Sequence, residues 1–197
     1  MIITISGTPG SGKSTVAKIL VQKLNAERIY VGGIRRELAR KKGMTLEELN
    51  VYAKTHPETD VDVDKEAATK ARELDHTGKV IIDEGYTQFH FVPESLKVFI
   101  KVNWEEGARR IWKDLQQKDT NQARNEGNIT SFQQMKQRVL ARLEEDSARY
   151  QKYYGLDHLD ESQYDLILDS THFTAVQIAE KIIQFLKQNK KTYKWFS

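Results

Sequence analysis

The chain has 197 residues, of which 39% are hydrophobic and 30% charged, and its formal net charge at pH 7 is +3. This composition suits one well-buried domain, offers no apolar run of about 18 residues that could span a membrane, and does not call for a nucleic-acid partner. Because cysteine is absent and the first residues lack the basic start of a secretory signal, we expect a cytoplasmic protein without disulfides or thiolate metal sites. We also expect a monomer.

Apolar runs, helical periodicity and turn residues predict alternating strands and helices. Helices between successive strands favour parallel pairing, and strands that are apolar throughout indicate helices on both faces of the sheet. The predicted fold class is therefore α/β, with a central parallel sheet in three layers. In chain order the predicted elements are strand 1–6, helix 13–24, strand 28–31, helix 34–42, a helix opened by the capping box of Thr45 and Glu48, helix 62–74, strand 79–82, strand 96–102, helix 105–115, helix 131–154, strand 164–168 and helix 174–188.

A phosphate-binding loop, Gly7-x-x-x-x-Gly12-Lys13-Ser14, joins the first strand to the first helix. Its glycines let successive amides point at one anion beside a helix N-terminus. We expect Lys13 to reach the β- and γ-phosphates of ATP and to be catalytic, and Ser14 to bind Mg²⁺. The predicted nucleotide-binding residues are Gly7, Thr8, Pro9, Gly10, Ser11, Gly12, Lys13, Ser14 and Thr15.

A second motif is the apolar run 80–82, which is followed directly by Asp83. An aspartate at the end of a strand beside a P-loop is typical of a Mg²⁺ ligand, which we predict for Asp83. The neighbouring Glu84 could share this role, and a residue that only caps the strand end is the alternative.

The remaining motifs favour a small kinase within the P-loop NTPase class. The chain has no base-reading Asn-Lys-x-Asp of GTPases and is too short for a transporter-type ATPase. Arginines flank two interruptions of the strand and helix alternation, at about 34–74 and about 116–126. Insertions at the carboxyl ends of parallel strands are where ligands bind. The arginines are Arg35, Arg36, Arg109, Arg110, Arg124, Arg138, Arg142 and Arg149.

One face of the long predicted helix presents Arg138, Arg142, Asp146 and Arg149, because these positions step by four, four and three residues. The guanidinium group suits bidentate phosphate binding, so we predict phosphate contacts for this set. For any single arginine, a surface salt bridge is the alternative. The five histidines form no metal or triad pattern and are predicted to be surface or capping residues.

These motifs resemble the nucleoside monophosphate kinases, most closely the compact archaeal-like cytidylate kinases, over about 1–186. The resemblance is carried by the P-loop, by the segment 32–49 and by Arg142-x-x-x-Asp146-x-x-Arg149. It implies an acceptor-binding helical insertion (about 34–74) and a short lid (about 115–129) in one domain (1–197). It also implies that arginines hold the acceptor phosphate and the transferring phosphoryl group, and that Asp146 contacts the acceptor nucleotide. The predicted catalytic residues beside Lys13 are Arg110, Arg142 and Arg149, and the predicted substrate-binding residues are Gly32, Arg36, Asp64, Asp146 and Arg149.

The expected reaction is phosphoryl transfer from ATP to CMP or dCMP. Such an acceptor needs no catalytic base, because the second pKa of a phosphate monoester is about 6. A carboxylate accepts the exocyclic amine of cytosine, and Asp64, with Arg72 on the same predicted helix, is the candidate. An acidic helix N-terminus is the alternative explanation of Asp64.

Two other functions stay open at this stage. The family commonly has an arginine shortly after the strand-end aspartate, where this chain offers Tyr86 and Gln88 as possible acceptor contacts. A kinase of another nucleotide or small metabolite is therefore one alternative, and a nucleotide-binding protein without enzymatic activity is the other.

Overall fold

The computed structural model describes residues 1–117 and 124–189, and a five-stranded parallel sheet is their framework. The order across the sheet is β2-β3-β1-β4-β5, and every pair of neighbours is parallel. This confirms the α/β class, and the central position of β1 places the P-loop at the middle of one sheet edge. The strands are β1 (Ile2–Gly7), β2 (Glu27–Tyr30), β3 (Ile81–Glu84), β4 (Leu96–Lys101) and β5 (Leu166–Asp169).

Eight α-helices and one short 3₁₀ helix (Glu161–Gln163) are described in these ranges, and most of the α-helices follow the predicted positions. Three differ: α2 begins at Val31, directly after β2, α4 begins just after Pro57, and α5 was not predicted. Proline is tolerated at a helix start, and acidic residues there interact favourably with the helix dipole. The helices are α1 (Lys13–Leu24), α2 (Val31–Lys41), α3 (Leu46–Tyr52), α4 (Glu58–Asp75), α5 (Gln88–Phe91), α6 (Trp104–Leu115), α7 (Phe132–Tyr154) and α8 (Ala175–Gln188).

Helices cover both faces of the sheet. On one face, α1 and α8 bury a core that includes Leu20, Ile82 and Ile182. On the other face, alanines of α4 pack against a core that includes Ile29 and Ile81. This is the three-layer arrangement expected for the P-loop class. None of the described helices is long and apolar enough to cross a membrane.

The two segments that interrupt the alternation flank the P-loop edge. The first forms α2, α3 and α4, and the predicted capping box of Thr45 and Glu48 is present at the start of α3. The second lies between α6 and α7, which pack together through a shared core that includes Ile111 and Met135. Residues 118–123, in the middle of the predicted lid, lie outside the described residues.

Gly7, the last residue of β1, lies very close to the backbone of β4. Its φ is +142°, and a Cβ atom at this position would lie 1.9 Å from the carbonyl oxygen of Ile100 on β4. We expect Gly7→Ala to lower the free energy of unfolding by about 2–6 kcal/mol, because backbone strain and steric displacement each cost about 1–3 kcal/mol. Urea unfolding of the two proteins measures this.

Gly43→Ala is the matched control. Gly43 also has a positive φ, of +69°, but no atom lies within 4 Å of an added Cβ. Its cost should stay at about 1–2 kcal/mol, the price of the left-handed conformation alone. Equal losses for the two variants would contradict the close approach of β1 and β4.

Candidate active site

The P-loop leads into the start of α1 and packs closely against α6. Gly10 and Gly12 have φ values of +75° and +84°. A Cβ atom on Gly10 would lie 2.3 Å from the carbonyl oxygen of Gly107, so the loop and α6 meet through their backbones. The first amides of a helix have no carbonyl of an earlier turn to bind. The start of α1 therefore offers N–H donors at the edge of the cleft.

Lys13 is folded back on its own loop. Its Nζ atom donates to the carbonyl oxygens of Gly7 at 2.8 Å and Thr8 at 3.0 Å, and it lies 4.6 Å from the ring centroid of Tyr86. Burial lowers the pKa of Lys13 to about 7. Its hydrogen bonds are to neutral acceptors, which are weaker partners for an ammonium group than a phosphate oxygen.

An open cleft of about 580 Å³ lies beside this loop. Residues 9–15 of the predicted loop line it, whereas Gly7 and Thr8 lie behind and anchor the loop. The cleft extends past the carboxyl ends of β2 and β3 to the insertion helices and α7. Of the other predicted site residues, those that line it are Gly32, Arg36, Asp64, Arg110, Arg142, Asp146 and Arg149.

The structure places Glu84, rather than Asp83, against the P-loop. The Ser14 hydroxyl donates to Glu84 at 2.5 Å, and Arg28 holds the other oxygen of this carboxylate. Asp83 is fully buried, does not line the cleft, and neither of its carboxylate oxygens has a hydrogen-bond partner among the described residues. Glu84 is therefore the carboxylate of β3 that contacts the P-loop, and the Mg²⁺ role predicted for Asp83 stays a prediction.

The two-residue period of a strand explains why Glu84, and not Asp83, contacts the P-loop. Ile81 faces α4 and Ile82 faces α1. Side chains two residues apart lie on the same face of a strand, so Asp83 lies on the α4 face and Glu84 on the α1 face. Because Ser14 belongs to α1, the carboxylate that reaches it must be Glu84. Burial, followed by the nearby charges of Asp64 and Glu84, raises the pKa of Asp83 to about 8.

Two arginines of α7 meet acidic partners at the cleft. Arg142 lies 3.5 Å from Glu126 and 3.6 Å from Asp146. Arg149 donates to Asp146 at 2.7 Å and to Asp60 at 2.8 Å, and its Nη1 atom has no hydrogen-bond partner among the described residues. These are buried cations with part of their donor capacity unused.

Arg36 approaches the same group from α2. It donates to the carbonyl oxygens of Gly32 at 2.9 Å and Arg124 at 2.9 Å. Its Nη2 atom lies 3.8 Å from Glu126, the carboxylate that Arg142 also faces. One buried carboxylate thus lies between two guanidinium groups.

Four other predicted arginines are held by contacts within the protein. Arg110 lines the cleft but donates to Ser170 and to the carbonyl oxygen of Thr171. Arg138 does not line the cleft and pairs with Glu47 and Glu145, so the phosphate contact predicted for it is not supported. Arg109 does not line the cleft and pairs with Glu106, whereas Arg124 lines the cleft and pairs with Asp114.

Comparison with known proteins identifies the family. Residues 3–131 match the family model described as an AAA domain. A cytidylate kinase of Archaeoglobus fulgidus is 36% identical over 191 residues, which cover 96% of this chain and 97% of that protein. The chain belongs to the cytidylate kinase family. A cytidylate kinase of Sulfurisphaera tokodaii is also 36% identical, over 94% of this chain and 95% of that protein.

Solved structures support the fold of this cytidylate kinase family member. An uncharacterized protein from Eubacterium ventriosum superposes with a TM-score of 0.67 at 15% identity, covering 95% of this chain and 98% of that one. A shikimate kinase from Bacteroides thetaiotaomicron gives 0.59 at 17% identity, with the same coverage of 95% and 98%. At these identities the likeness shows the fold alone, and it agrees with the predicted α/β fold of the P-loop class.

On the insertion side of this kinase fold, Asp64 is held by three donors. Thr87 and Tyr154 donate to its Oδ2 atom at 2.7 and 2.8 Å, and Gln88 donates to Oδ1 at 3.1 Å. Burial raises the pKa of Asp64 to about 6. Arg72, which the sequence suggested as its partner at the base, instead pairs with Glu94 and does not line the cleft.

Several residues of the site escaped the sequence analysis. Arg28 and Asn50 line the cleft but belong to no motif. His158 is buried against the rings of Tyr86 and Tyr150, which contradicts the prediction that each histidine is a surface or capping residue. For Glu84 a signal existed, since it directly follows Asp83 at the end of the apolar strand.

Asp83 should make the stability of the protein depend on pH. A carboxyl group whose pKa is raised to about 8 holds a proton in the folded state that the unfolded chain releases above about pH 4. The free energy of unfolding should therefore fall as the pH rises from about 4 to about 8. Urea unfolding at pH 6 to 8, above the range of Asp64, should show a smaller fall for Asp83→Asn than for the wild type.

Asp62→Asn is the control for this measurement, because Asp62 is exposed on α4. It should keep the pH dependence of the wild type. If Asp83→Asn also kept that dependence, the buried, protonated state of Asp83 would be contradicted.

Proposed function

We propose that this chain catalyses transfer of the γ-phosphoryl group of ATP to CMP or dCMP, giving the diphosphates. The observation that carries the proposal is that a cation of the P-loop and a cation of α7 both lie close to the ring of Tyr86. Its ring centroid lies 4.6 Å from Nζ of Lys13 and 5.8 Å from Cζ of Arg142. A phosphate chain held by the P-loop would therefore end beside the arginines of α7. The names of the cytidylate kinase relatives support CMP as the acceptor.

The donor side is the P-loop. Its amides and Lys13 would hold the β- and γ-phosphates. Ser14 and Glu84 offer hard oxygen ligands side by side, which fits Mg²⁺, an ion that usually takes one or two protein ligands and completes its shell with phosphates and water. When bound, Mg²⁺ neutralises charge on the phosphates. Among the described residues, no group of three or more His, Cys, Asp or Glu side chains could hold a metal ion.

The acceptor side is the arginine group. Arg36, Arg142 and Arg149 would hold the acceptor phosphate and the transferring group, with Gly32 beside Arg36. Asp146 orients Arg149 and Arg142 through contacts of 2.7 and 3.6 Å respectively. No side chain needs to remove a proton, because the acceptor oxygen is ionised near neutral pH. Catalysis is then positioning and charge stabilisation.

The proposal also includes the predictions for the cytosine contact, the lid, the domain organisation, the oligomeric state and the location. Asp64 would accept the cytosine amine through Oδ1, which accepts one hydrogen bond in the structure. A lid at about 115–129 would close over the phosphates with Arg110 at its base, excluding water. We also propose a single domain over 1–197, a monomer and a cytoplasmic location.

An assay of ADP release across nucleoside monophosphates tests the function. CMP and dCMP should be the best acceptors, and Lys13→Ala should lower kcat at least about 100-fold, as loss of a preorganised charge in a site of this kind does. Turnover no greater than that of Lys13→Ala would indicate a nucleotide-binding protein without activity. Activity confined to an acceptor that has no phosphate would indicate a metabolite kinase.

The two neighbouring carboxylates of β3 provide a second test. Glu84→Gln should lower kcat by about 100-fold and raise the Mg²⁺ concentration needed for half-maximal activity. Asp83→Asn, which changes a buried carboxyl group on the opposite face of the strand, should leave that Mg²⁺ concentration within about twofold of the wild type. Steady-state rates against Mg²⁺ at saturating ATP measure both. The reverse pattern would show that Asp83 is the ligand and would contradict the role proposed for Glu84.

A further inference from the structure

A buried amide faces the cleft from the insertion. Asn50 on α3 is 2% exposed and lines the cleft. Its Oδ1 atom accepts a hydrogen bond of 3.0 Å from Arg35. Because a guanidinium group can only donate, the amide oxygen must face Arg35 and the NH₂ group must face away from it. That NH₂ group has no hydrogen-bond partner among the described residues.

Arg35 fixes this orientation because it is itself held on two sides. It donates to the carbonyl oxygen of Thr59 at 2.9 Å and forms a buried ion pair with Asp60. The other oxygen of Asp60 accepts from Arg149 at 2.8 Å. Asn50 is thus joined through Arg35 and Asp60 to an arginine that we assign to the acceptor phosphate. A nucleotide whose phosphate contacts Arg149 would bring its base toward the insertion helices.

A fixed donor at this position discriminates between pyrimidines. The N3 atom of cytosine is a hydrogen-bond acceptor, whereas uracil carries a proton on N3. A site built to hydrogen-bond one edge rejects an analogue that leaves its buried polar group unpaired. We propose that the Asn50 NH₂ group donates to N3 of the acceptor base, which makes Asn50 a specificity-determining residue that selects cytosine over uracil. This inference rests on the proposed function.

Asn50→Asp is the direct test. The variant keeps nearly the same volume and an acceptor oxygen toward Arg35, but it replaces the donor toward the cleft with an acceptor. The ratio of kcat/KM for CMP to kcat/KM for UMP should fall by about 10- to 100-fold, the range of one good base contact. The KM for ATP should stay within about twofold. A ratio equal to that of the wild type would overturn the inference.

Two further variants complete the experiment. Asn25→Asp adds the same charge at the exposed C-terminal cap of α1, outside the cleft lining, and should leave the ratio unchanged. Asn50→Ala removes the donor without adding charge and should lower the ratio in the same direction, so it decides the matter if Asn50→Asp does not fold. An unchanged ratio in an active Asn50→Ala protein would overturn the inference.

The same data separate the two proposals. A wild-type protein that phosphorylates CMP while its Asn50 variants keep the wild-type ratio refutes the role of Asn50 alone. A wild-type protein that phosphorylates no nucleoside monophosphate refutes the proposed function, and the inference with it.

Discussion

The structure depends on positive charge that is buried at one edge of a parallel sheet. Strand order places the carboxyl ends of β2, β3 and β1 side by side, so α1, α2 and the cleft meet at this edge. Lys13 reaches it from the P-loop, and Arg142 reaches it from α7, at 4.6 and 5.8 Å from the centroid of the Tyr86 ring. Buried cations are costly unless they are paired, and this cost shapes the rest of the site.

Buried carboxylates pair with these arginines, but they do not bind every N–H donor of the guanidinium groups. Glu126 is 2% exposed and lies 3.5 Å from Arg142 and 3.8 Å from Arg36, which are distances of ion pairs rather than strong hydrogen bonds. Arg149, by contrast, is fixed by close bonds to Asp60 and Asp146. We infer that Arg142 keeps most of its mobility toward phosphate, whereas Arg149 is fixed in place and offers phosphate its unpaired Nη1 atom.

The sequence was sufficient for the elements whose signal is local. The loop 7–15 and the order of strands and helices follow from spacing alone. Asp83 and Glu84 could not be told apart, because β3 is buried on both faces and its pattern carries no alternation that would show which residue faces α1. Asn50 resembles a surface residue of a short polar helix, and its burial and its contact with Arg35 arise from the packing of α2, α3 and α4. Arg72 pairs with Glu94, which is 22 residues away in the chain, so local spacing could not predict this partner.

The central claim is that donor and acceptor phosphates meet in one cleft. It is tested most directly by calorimetry with a single molecule in which cytidine and adenosine are joined by five phosphates. Since such a ligand engages both sites at once, it should bind at least about 100-fold more tightly than ATP or CMP alone. Affinity no greater than that of ATP would contradict the claim, because the two phosphate sites would then not share a cleft.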